Sequence, residues 1–459
     1  MLPFTNLRQD SETDFLGYAL ADQVISRLEY LSNVLVRPSS AVRAYQDRTI
    51  LPGVVAEELQ VDYLLTGNYL KEGDWLRLNL ELVHARSNES IWREPIEVRY
   101  ENVFALQDLV AEKVTGGLLL RLSGDERRHF GKDIPRDPLA YEYYLRALSY
   151  PFTSEGHELA AAMLRQSVEL DTEYSPAFEE LGHRLQQLAT YTLADENALR
   201  EEAMSAVRRA LELNPEQLQA LSLLSTFYTE LGPLEEAFDL SLRALEVNPR
   251  SPYLHFSLGY AYRYAGLLEE SAREFETAIT LDPGNRRWRG AGITHLQLGN
   301  YEDALRGFDL DPESSWSMSW KGLVYAAMGR EEEALEHFER VIELEGDGPL
   351  ANWMRAAKAV IEGDLEEGLA ATKKLEELAL ADGEWRRFTA MSYCSLGDQD
   401  GCLRELEAAL EHGYYNYPPL VTDPLFDLVR DTERFKRVLA ASKARHEAIK
   451  SRYGFQRQN

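Results

Sequence analysis

Apolar residues along this chain follow two rhythms. From Leu139 to about Gly413 they recur at helical spacing, in paired segments broken by a glycine at near-regular intervals. The glycines are Gly232, Gly266, Gly299, Gly329, Gly363 and Gly397, separated by 34, 33, 30, 34 and 34 residues. Five positions after each stands a small residue (Ala237, Ser271, Ala304, Ala334, Gly368 and Cys402), where two helices can approach closely. A unit of this length is one helix–turn–helix, too small to bury its apolar face alone and stabilised by stacking on its neighbours. Boundaries between units read Leu213-Asn214-Pro215, Val247-Asn248-Pro249, Leu281-Asp282-Pro283 and Leu310-Asp311-Pro312. Asn or Asp ends one helix and caps the next, and Pro disfavours continuation of the old one.

The first 123 residues mix rhythms. Met1-Leu2-Pro3-Phe4 reads as the tail of a buried strand whose earlier residues lie upstream, because a strand usually takes five or six residues; a short edge strand is the alternative. Asn6 and Asp10 to Glu12 then open a helix, and Phe15, Leu16, Ala19, Leu20, Val24, Leu28 and Leu31 keep helical spacing. Residues 33–36 predict a short strand, 54–59 a short helix and 62–70 a strand. After the turn at Glu72-Gly73-Asp74, residues 75–82 alternate with period two and so bury one face. A turn at Ser87-Asn88-Glu89, a strand over 91–98 and a helix over 103–122 complete the order βαβαβββα. The fold class is therefore an α+β N-terminal domain followed by an all-α superhelix, an α-α solenoid. The expected organisation is a domain over 1–123, a linker over 124–137, about seven to eight helical pairs over 138–417, and capping helices over 418–459.

Charge narrows the function. Seventy-seven acidic against 49 basic side chains give a formal net charge of −28, spread over solvated helix surfaces. The bulk of such a molecule repels DNA and anionic bilayers, so a direct nucleic-acid partner is not expected. The last stretch is locally basic (Arg434, Lys436, Arg437, Lys443, Arg445, Lys450, Arg452, Arg457) and reads as a final helix facing water. No run of eighteen apolar residues offers a membrane span in this segment, and no secretory leader is visible. The two cysteines, Cys394 and Cys402, rule out a disulfide framework and read as small buried packing residues.

A search for chemistry returns no catalytic residue, metal ligand set or cofactor site. The nine histidines are scattered without a zinc-type pair, and no phosphate loop or nucleophile turn is present. Gly290-Ala291-Gly292 reads as a packing feature inside a repeat helix. Asp398-Gln399-Asp400-Gly401 imitates part of a calcium loop but lacks the later ligands, and reads as a turn.

These repeats resemble the tetratricopeptide repeat (TPR). The fullest copy is His255, Leu258-Gly259, Tyr262, Ser271, Phe275, Ala278, Pro283, and others are Leu221, Leu224, Tyr228, Ala237, Ala244, Pro249 and Met318, Gly322, Tyr325, Ala334, Phe338. An insertion over residues 190–202 follows the Leu181-Gly182 copy, and the unit near Phe308 is shortened before Pro312, so a kink is expected there. At the N-terminus, Leu2-Pro3-Phe4-Thr5-Asn6-Leu7, Asp62-Tyr63-Leu64-Leu65-Thr66-Gly67, Trp75-Leu76-Arg77-Leu78 and Phe104-Ala105-Leu106-Gln107-Asp108 resemble the TolB-amino-terminal-like domain of bacterial regulators. The tail from Thr422 to Phe435 is similar to the capping segment of the same proteins. What the resemblance implies is a bacterial signalling module with an effector upstream, such as a winged helix, an adenylate cyclase or a kinase, and no catalytic residue of its own.

In tetratricopeptide arrays the first helix of each pair lines the concave groove. The register places His183, Gln187, Tyr253, Phe256, Tyr260, Arg263, Tyr264, Arg286, Arg289, Trp316, Trp353 and Arg387 on or near that face. Tyr, Trp and Arg are enriched at binding hot spots, and arginines in so acidic a chain point to a protein or peptide ligand bearing carboxylate groups. The competing reading is that the aromatics fill gaps between repeats and the arginines pair with neighbouring glutamates. The Lys/Asn carboxylate clamp of chaperone adaptors is not seen. The leading expectation is a non-enzymatic interaction and sensor module relaying to an upstream effector, cytoplasmic, or periplasmic where a membrane helix precedes it. An assembly scaffold without effector, and an enzyme with a cryptic site in the α+β domain, are the alternatives.

Overall fold

The structure, a computed structural model, describes residues 1–8, 10, 13–28, 34, 36–37, 39–42, 45–46, 51–100, 106–117, 133–150, 153–191, 196–378 and 382–454. Its N-terminal part holds strands β1 (Thr5–Asn6), β2 (Tyr63–Glu72), β3 (Trp75–His84) and β4 (Glu89–Arg99), side by side in that order. Helices α1 (Leu16–Leu28), α2 (Ser39–Val42), α3 (Pro52–Leu59) and α4 (Leu106–Gly117) accompany them. β1 runs parallel to β2 (Thr5 opposite Asn68), whereas β2–β3 and β3–β4 are antiparallel (Thr66 opposite Glu81, Leu78 opposite Ile96). The period-two run places Leu76, Leu78, Leu80 and Leu82 on one face, buried against Leu16, Leu20 and Val24 of α1 and Val110 and Val114 of α4.

One expectation shifts here, and one falls outside the described residues. The helix expected to open at Asp10 to Glu12 starts at Leu16, because the Thr13 and Asp14 amides bond back to the Asp10 carbonyl and make a turn. The strand expected over 33–36 has Asn33 and Leu35 outside the described residues, as is most of the segment expected to be the linker.

The rest is helical and forms a TPR-like solenoid. Among the described residues eight pairs follow one another: α5 (Pro138–Ser149) with α6 (Ser154–Leu170), α7 (Ser175–Tyr191) with α8 (Glu196–Leu213), and α9 (Leu218–Leu231) with α10 (Leu234–Val247). Next come α11 (Pro252–Tyr264) with α12 (Leu268–Leu281), then a 3-10 turn (Arg286–Gly290) leading into α13 (Ala291–Gln297) with α14 (Tyr301–Phe308). The last three are α15 (Ser315–Ala327) with α16 (Glu331–Glu345), α17 (Pro349–Glu362) with α18 (Leu365–Glu377), and α19 (Gly383–Ser395) with α20 (Gln399–Glu411). Helix α21 (Tyr417–Thr422), a 3-10 turn (Pro424–Leu428) and α22 (Glu433–Tyr453) close the chain.

Five of the six marker glycines have φ between +72° and +82°, the left-handed region that ends a helix without penalty for glycine. Gly232 differs, at φ −123°. It alone precedes a proline, and Pro233 pushes the residue before it into extended backbone. The small residues five positions on are buried where the paired helices touch; a Cβ on Gly368 would stand 3.0 Å from the Ala359 Cβ of its paired helix α17. Buried hydroxyls bridge other crossings: Ser225, Ser241 and Ser257 form a chain at 2.8 and 3.2 Å, and Ser271 reaches the Gly259 carbonyl at 2.7 Å. Satisfied in this way, they avoid the cost of an unpaired buried polar group. Of the insertion over 190–202, residues 192–195 lie outside the described ones; the rest extends α7 and opens α8, which have 17 and 18 residues.

The solenoid curls until distant pairs meet. The buried Arg263 guanidinium of α11 forms an ion pair with Glu384 of α19, and Tyr264 Oη donates to Asp382 at 2.9 Å. Helix α22 lies back across the third and fourth pairs. Tyr453 stacks on Phe238 at 4.6 Å, Tyr262 Oη donates to the Tyr453 carbonyl at 2.8 Å, Arg445 pairs with Glu235, and Arg452 pairs with Asp239 at 2.8 Å. The final helix is thus a brace: several of its basic side chains meet the acidic repeats rather than water alone. A second correction concerns the cysteines. Cys394 and Cys402 are joined by a disulfide with Cα atoms 5.1 Å apart, because both lie on the contact line of α19 and α20, either side of the Gly397 turn.

Candidate functional site

Curling forms a partly open cavity of about 1240 Å³. The sheet domain walls one side with Tyr18, Asp22 and Gln23 of α1 and Glu58 of α3; the first helices of several pairs wall the other. Two clasps hold the domain there. Gln23 Nε2 donates to Tyr144 Oη of α5 at 2.9 Å, and the buried Arg37 donates to the Thr280 and Leu281 carbonyls at the end of α12, at 3.2 and 2.8 Å. A cation suits the carbonyl end of a helix, where the backbone dipoles leave partial negative charge.

Nine of the twelve expected side chains line this one cavity: His183, Gln187, Tyr253, Phe256, Tyr260, Arg263, Arg286, Arg289 and Trp316. The structure does not bring Tyr264, Trp353 or Arg387 to it. Tyr264 is buried in the seam against Tyr414. Trp353 fills the gap between repeats, stacked on Phe388 at 4.7 Å, as the packing alternative held. Arg387 is buried beside Tyr414 and Leu406, on the far side of α19.

The arginines divide by partner. Arg263, though on the cavity wall, is committed to Glu384; burial disfavours its charge, and the carboxylate more than reverses this, raising its pKa. Arg289 pairs with Asp311 at 3.2 Å. Arg286 is largely exposed and stands 3.9 Å from the same Asp311. Of the three, Arg263 and Arg289 are thus paired with carboxylates, and Arg286 remains largely exposed. Across the seam, burial first, then Glu230 and Glu384, push Asp382 up to about 8. Tyr260 Oη donates to Glu230, which also holds Arg200 at 3.0 Å.

Three residues that sequence reasoning missed complete the wall. On α7, Glu180 is buried and pairs with Arg184 at 2.6 Å; burial opposes its charge, but Arg184 and His183 hold its pKa well below the usual carboxylate range. Its neighbour Glu179 has no hydrogen-bond or ion-pair partner among the described residues, and burial, then Glu180 beside it, push its pKa up to about 8. Arg287, between the two arginines that were singled out, donates from Nη2 to His183 Nδ1 at 2.7 Å and lies 5.5 Å from the Tyr253 ring centre. Burial, then Arg287, hold His183 at about 4, so it is a neutral acceptor at pH 7. Among the described residues Arg287 meets no carboxylate within ion-pair distance. Also among them, no helix is long and apolar enough to cross a membrane.

Comparison with known proteins places this geometry. Residues 1–113 match the second domain of the HilA/YgeH-like transcriptional regulators. Residues 240–286, 256–313 and 317–347 match tetratricopeptide repeats. The resemblance to a TolB-amino-terminal-like domain is not confirmed by this match. A candidate adenylate cyclase (adenylate cyclase 3) of Rhizobium meliloti (strain 1021) is 25% identical over 183 residues, covering 39% of this chain and 31% of that protein. The human Superkiller complex protein 3 is 23% identical over 230 residues, covering 48% of this chain and 14% of that one. The chain thus spans less than a third of the length of either relative. Among solved structures, a chain of the APC/C hetero-tetramer Cut9-Hcn1 is 14% identical with a TM-score of 0.41, covering 74% of this chain and 83% of that one. The repeats are those of a class that binds protein partners and builds scaffolds.

Proposed function

We propose that this chain is a non-enzymatic interaction and sensing module. It captures a segment of a partner protein or peptide in the chamber and relays the occupancy, through the sheet domain, to an effector joined to that domain. The observation that carries this reading is that one cavity has walls from both the sheet domain and the repeats, held by the Gln23 and Arg37 clasps. A segment filling it touches both units and biases how they sit, which is what coupling between a binding site and an effector requires. The match of the N-terminal part to a domain of transcriptional regulators, and the partial likeness to a candidate cyclase, support an effector at that end. The TolB-like reading of the sheet domain, the boundaries 1–123, 124–137, 138–417 and 418–459, and a cytoplasmic or, behind a membrane helix, periplasmic location belong to the same proposal.

Photo-cross-linking tests it. A benzoylphenylalanine at Gln187, inside the chamber, is expected to label a polypeptide partner in the native host, whereas one at the exposed Glu276 of α12 labels none. Equal labelling from both positions refutes capture inside the chamber.

A further inference from the structure

Four pairs of charges on the chamber wall are spent on each other: Glu180 on Arg184, Glu230 on Arg200, Arg289 on Asp311, Arg263 on Glu384. Glu179 and Arg287 are not. Glu179 is more than nine-tenths buried, lines the chamber and has no partner among the described residues. Arg287 is held by a neutral imidazole and an aromatic face, neither of which cancels its charge. The two are farther apart than the 4 Å of an ion pair, yet close: Arg287 bonds to His183 at 2.7 Å, and His183 stands one helical turn from Glu179 on α7. Left empty, the arrangement is costly, since the Glu179 carboxyl is buried without a hydrogen-bond partner and the half-buried Arg287 charge is left uncompensated. It is cancelled by a molecule supplying one positive and one negative group across the same short gap.

We propose that the chamber's ligand presents an ammonium and a carboxylate within one residue's length, the ammonium to Glu179 and the carboxylate forked onto Arg287. The proposal rests on the chamber being the binding site. Guanidinium suits the negative end because its planar N–H pair matches a carboxylate, and Tyr253 and Phe256 supply apolar wall beside it. Two sources carry this chemistry: a free amino acid, and a polypeptide end whose last residue is basic. The groups facing Glu179 are Glu180, His183 and Arg184 on its own helix, Asp22 on α1, Tyr144 on α5, and Arg287. Because burial holds Glu179 protonated at pH 7, docking an ammonium there must expel that proton.

Calorimetric titration of the full chain tests this. The probes are lysine and leucine; their Nα-acetyl and α-amide derivatives; and a decapeptide ending in lysine, with free or amidated carboxyl. Saturable binding is expected for at least one unblocked probe. Amidating the carboxyl should weaken it tenfold or more, as should acetylating the single amine of leucine, Glu179→Gln or Arg287→Gln; Nα-acetyl-lysine, which keeps its side-chain ammonium, stands for the polypeptide end, and Glu58→Gln elsewhere on the wall leaves binding unchanged. Heats measured in buffers of different ionisation enthalpy should show release of up to one proton at pH 7. Binding by the free amino acids alone identifies the small-molecule source, and binding by the peptide alone the polypeptide end. Thermal melts of both variants establish that they fold. Binding indifferent to blocking or to both substitutions overturns the proposal. So does the absence of binding by every probe, an outcome that leaves chamber capture standing or falling on its own cross-linking result.

Discussion

Arg263 and Arg287 both reach the inner wall of the same curled stack, and they have opposite fates. Arg263 meets a glutamate from 121 residues away and becomes part of the seam that closes the stack. Among the described residues Arg287 meets a neutral histidine and a tyrosine ring, and no carboxylate within ion-pair distance. The difference lies in what the curl delivers to each position, since both are arginines on first-helix faces of adjacent units. Charge and aromatic residues on a concave face do not by themselves mark a binding site; they mark one where the fold fails to supply the partner.

The seam is the sharper half of the comparison to break. Glu384→Gln leaves Arg263 buried and unpaired, and removing one member of such a pair typically costs about 3–5 kcal/mol. Chemical denaturation should show that loss, and small-angle scattering a larger radius of gyration as the stack uncurls. Unchanged scattering would mean that other contacts close the seam without the ion pair. Next in size is the packing beneath both regions. Ala334→Leu puts a branched side chain where α16 meets α15, and overpacking costs about 1–3 kcal/mol. Unaltered thermal unfolding would show that the small residue is not needed at that contact.

The chamber should respond with the opposite sign. Glu179 has a pKa raised in the folded state by burial and by Glu180. Between the ordinary carboxylate value and about 8 the folded chain therefore holds a proton that the unfolded chain has released. Stability attributable to this group falls as pH rises through that window, because stability falls wherever the native state binds more protons. Glu179→Gln is accordingly expected to stabilise the ligand-free protein, by roughly 1 kcal/mol or more above pH 8, and to flatten that part of the pH profile, since a tenfold change in proton affinity corresponds to about 1.4 kcal/mol. A destabilised variant would show that the carboxylate has a structural partner. The smallest effect is expected from Arg452→Ala, which removes an ion pair with Asp239 whose partners are both substantially exposed. Such pairs contribute about 0–1 kcal/mol, so urea midpoints should barely move.

The repeat register was legible in the sequence because it is local. Glycine spacing, the small residue five positions on, and the Asn/Asp-Pro boundaries each report a turn or a crossing within one unit, and the helices fall there. Nine of twelve inner-face residues were legible for the same reason. The seam was not, because Arg263 and Glu384, or Tyr262 and Tyr453, are joined only once many small inter-pair rotations accumulate. Arg287 escaped notice for a local reason. Residues 286–290 form a 3-10 turn, where positions three apart align, so Arg286 and Arg289 share Asp311 while Arg287 turns to His183. The Cys394–Cys402 link could have been read, since residues flanking a tight helical turn on the buried line of one pair necessarily face each other.

The fourth pair, α11 and α12, gives the architecture a different meaning when the contacts are drawn as a network. A simple stack is a line whose units touch only the next in order, free to fray from either end. Here the sheet domain reaches from α5 to the end of α12 and makes one closed circuit; α19 and α22 return to α11 and make a second. Both circuits pass through the same node. Neither the sheet domain nor α22 can peel away without breaking a loop, and the two loops meet at α11, a helix that carries Tyr253, Phe256 and Arg263 together.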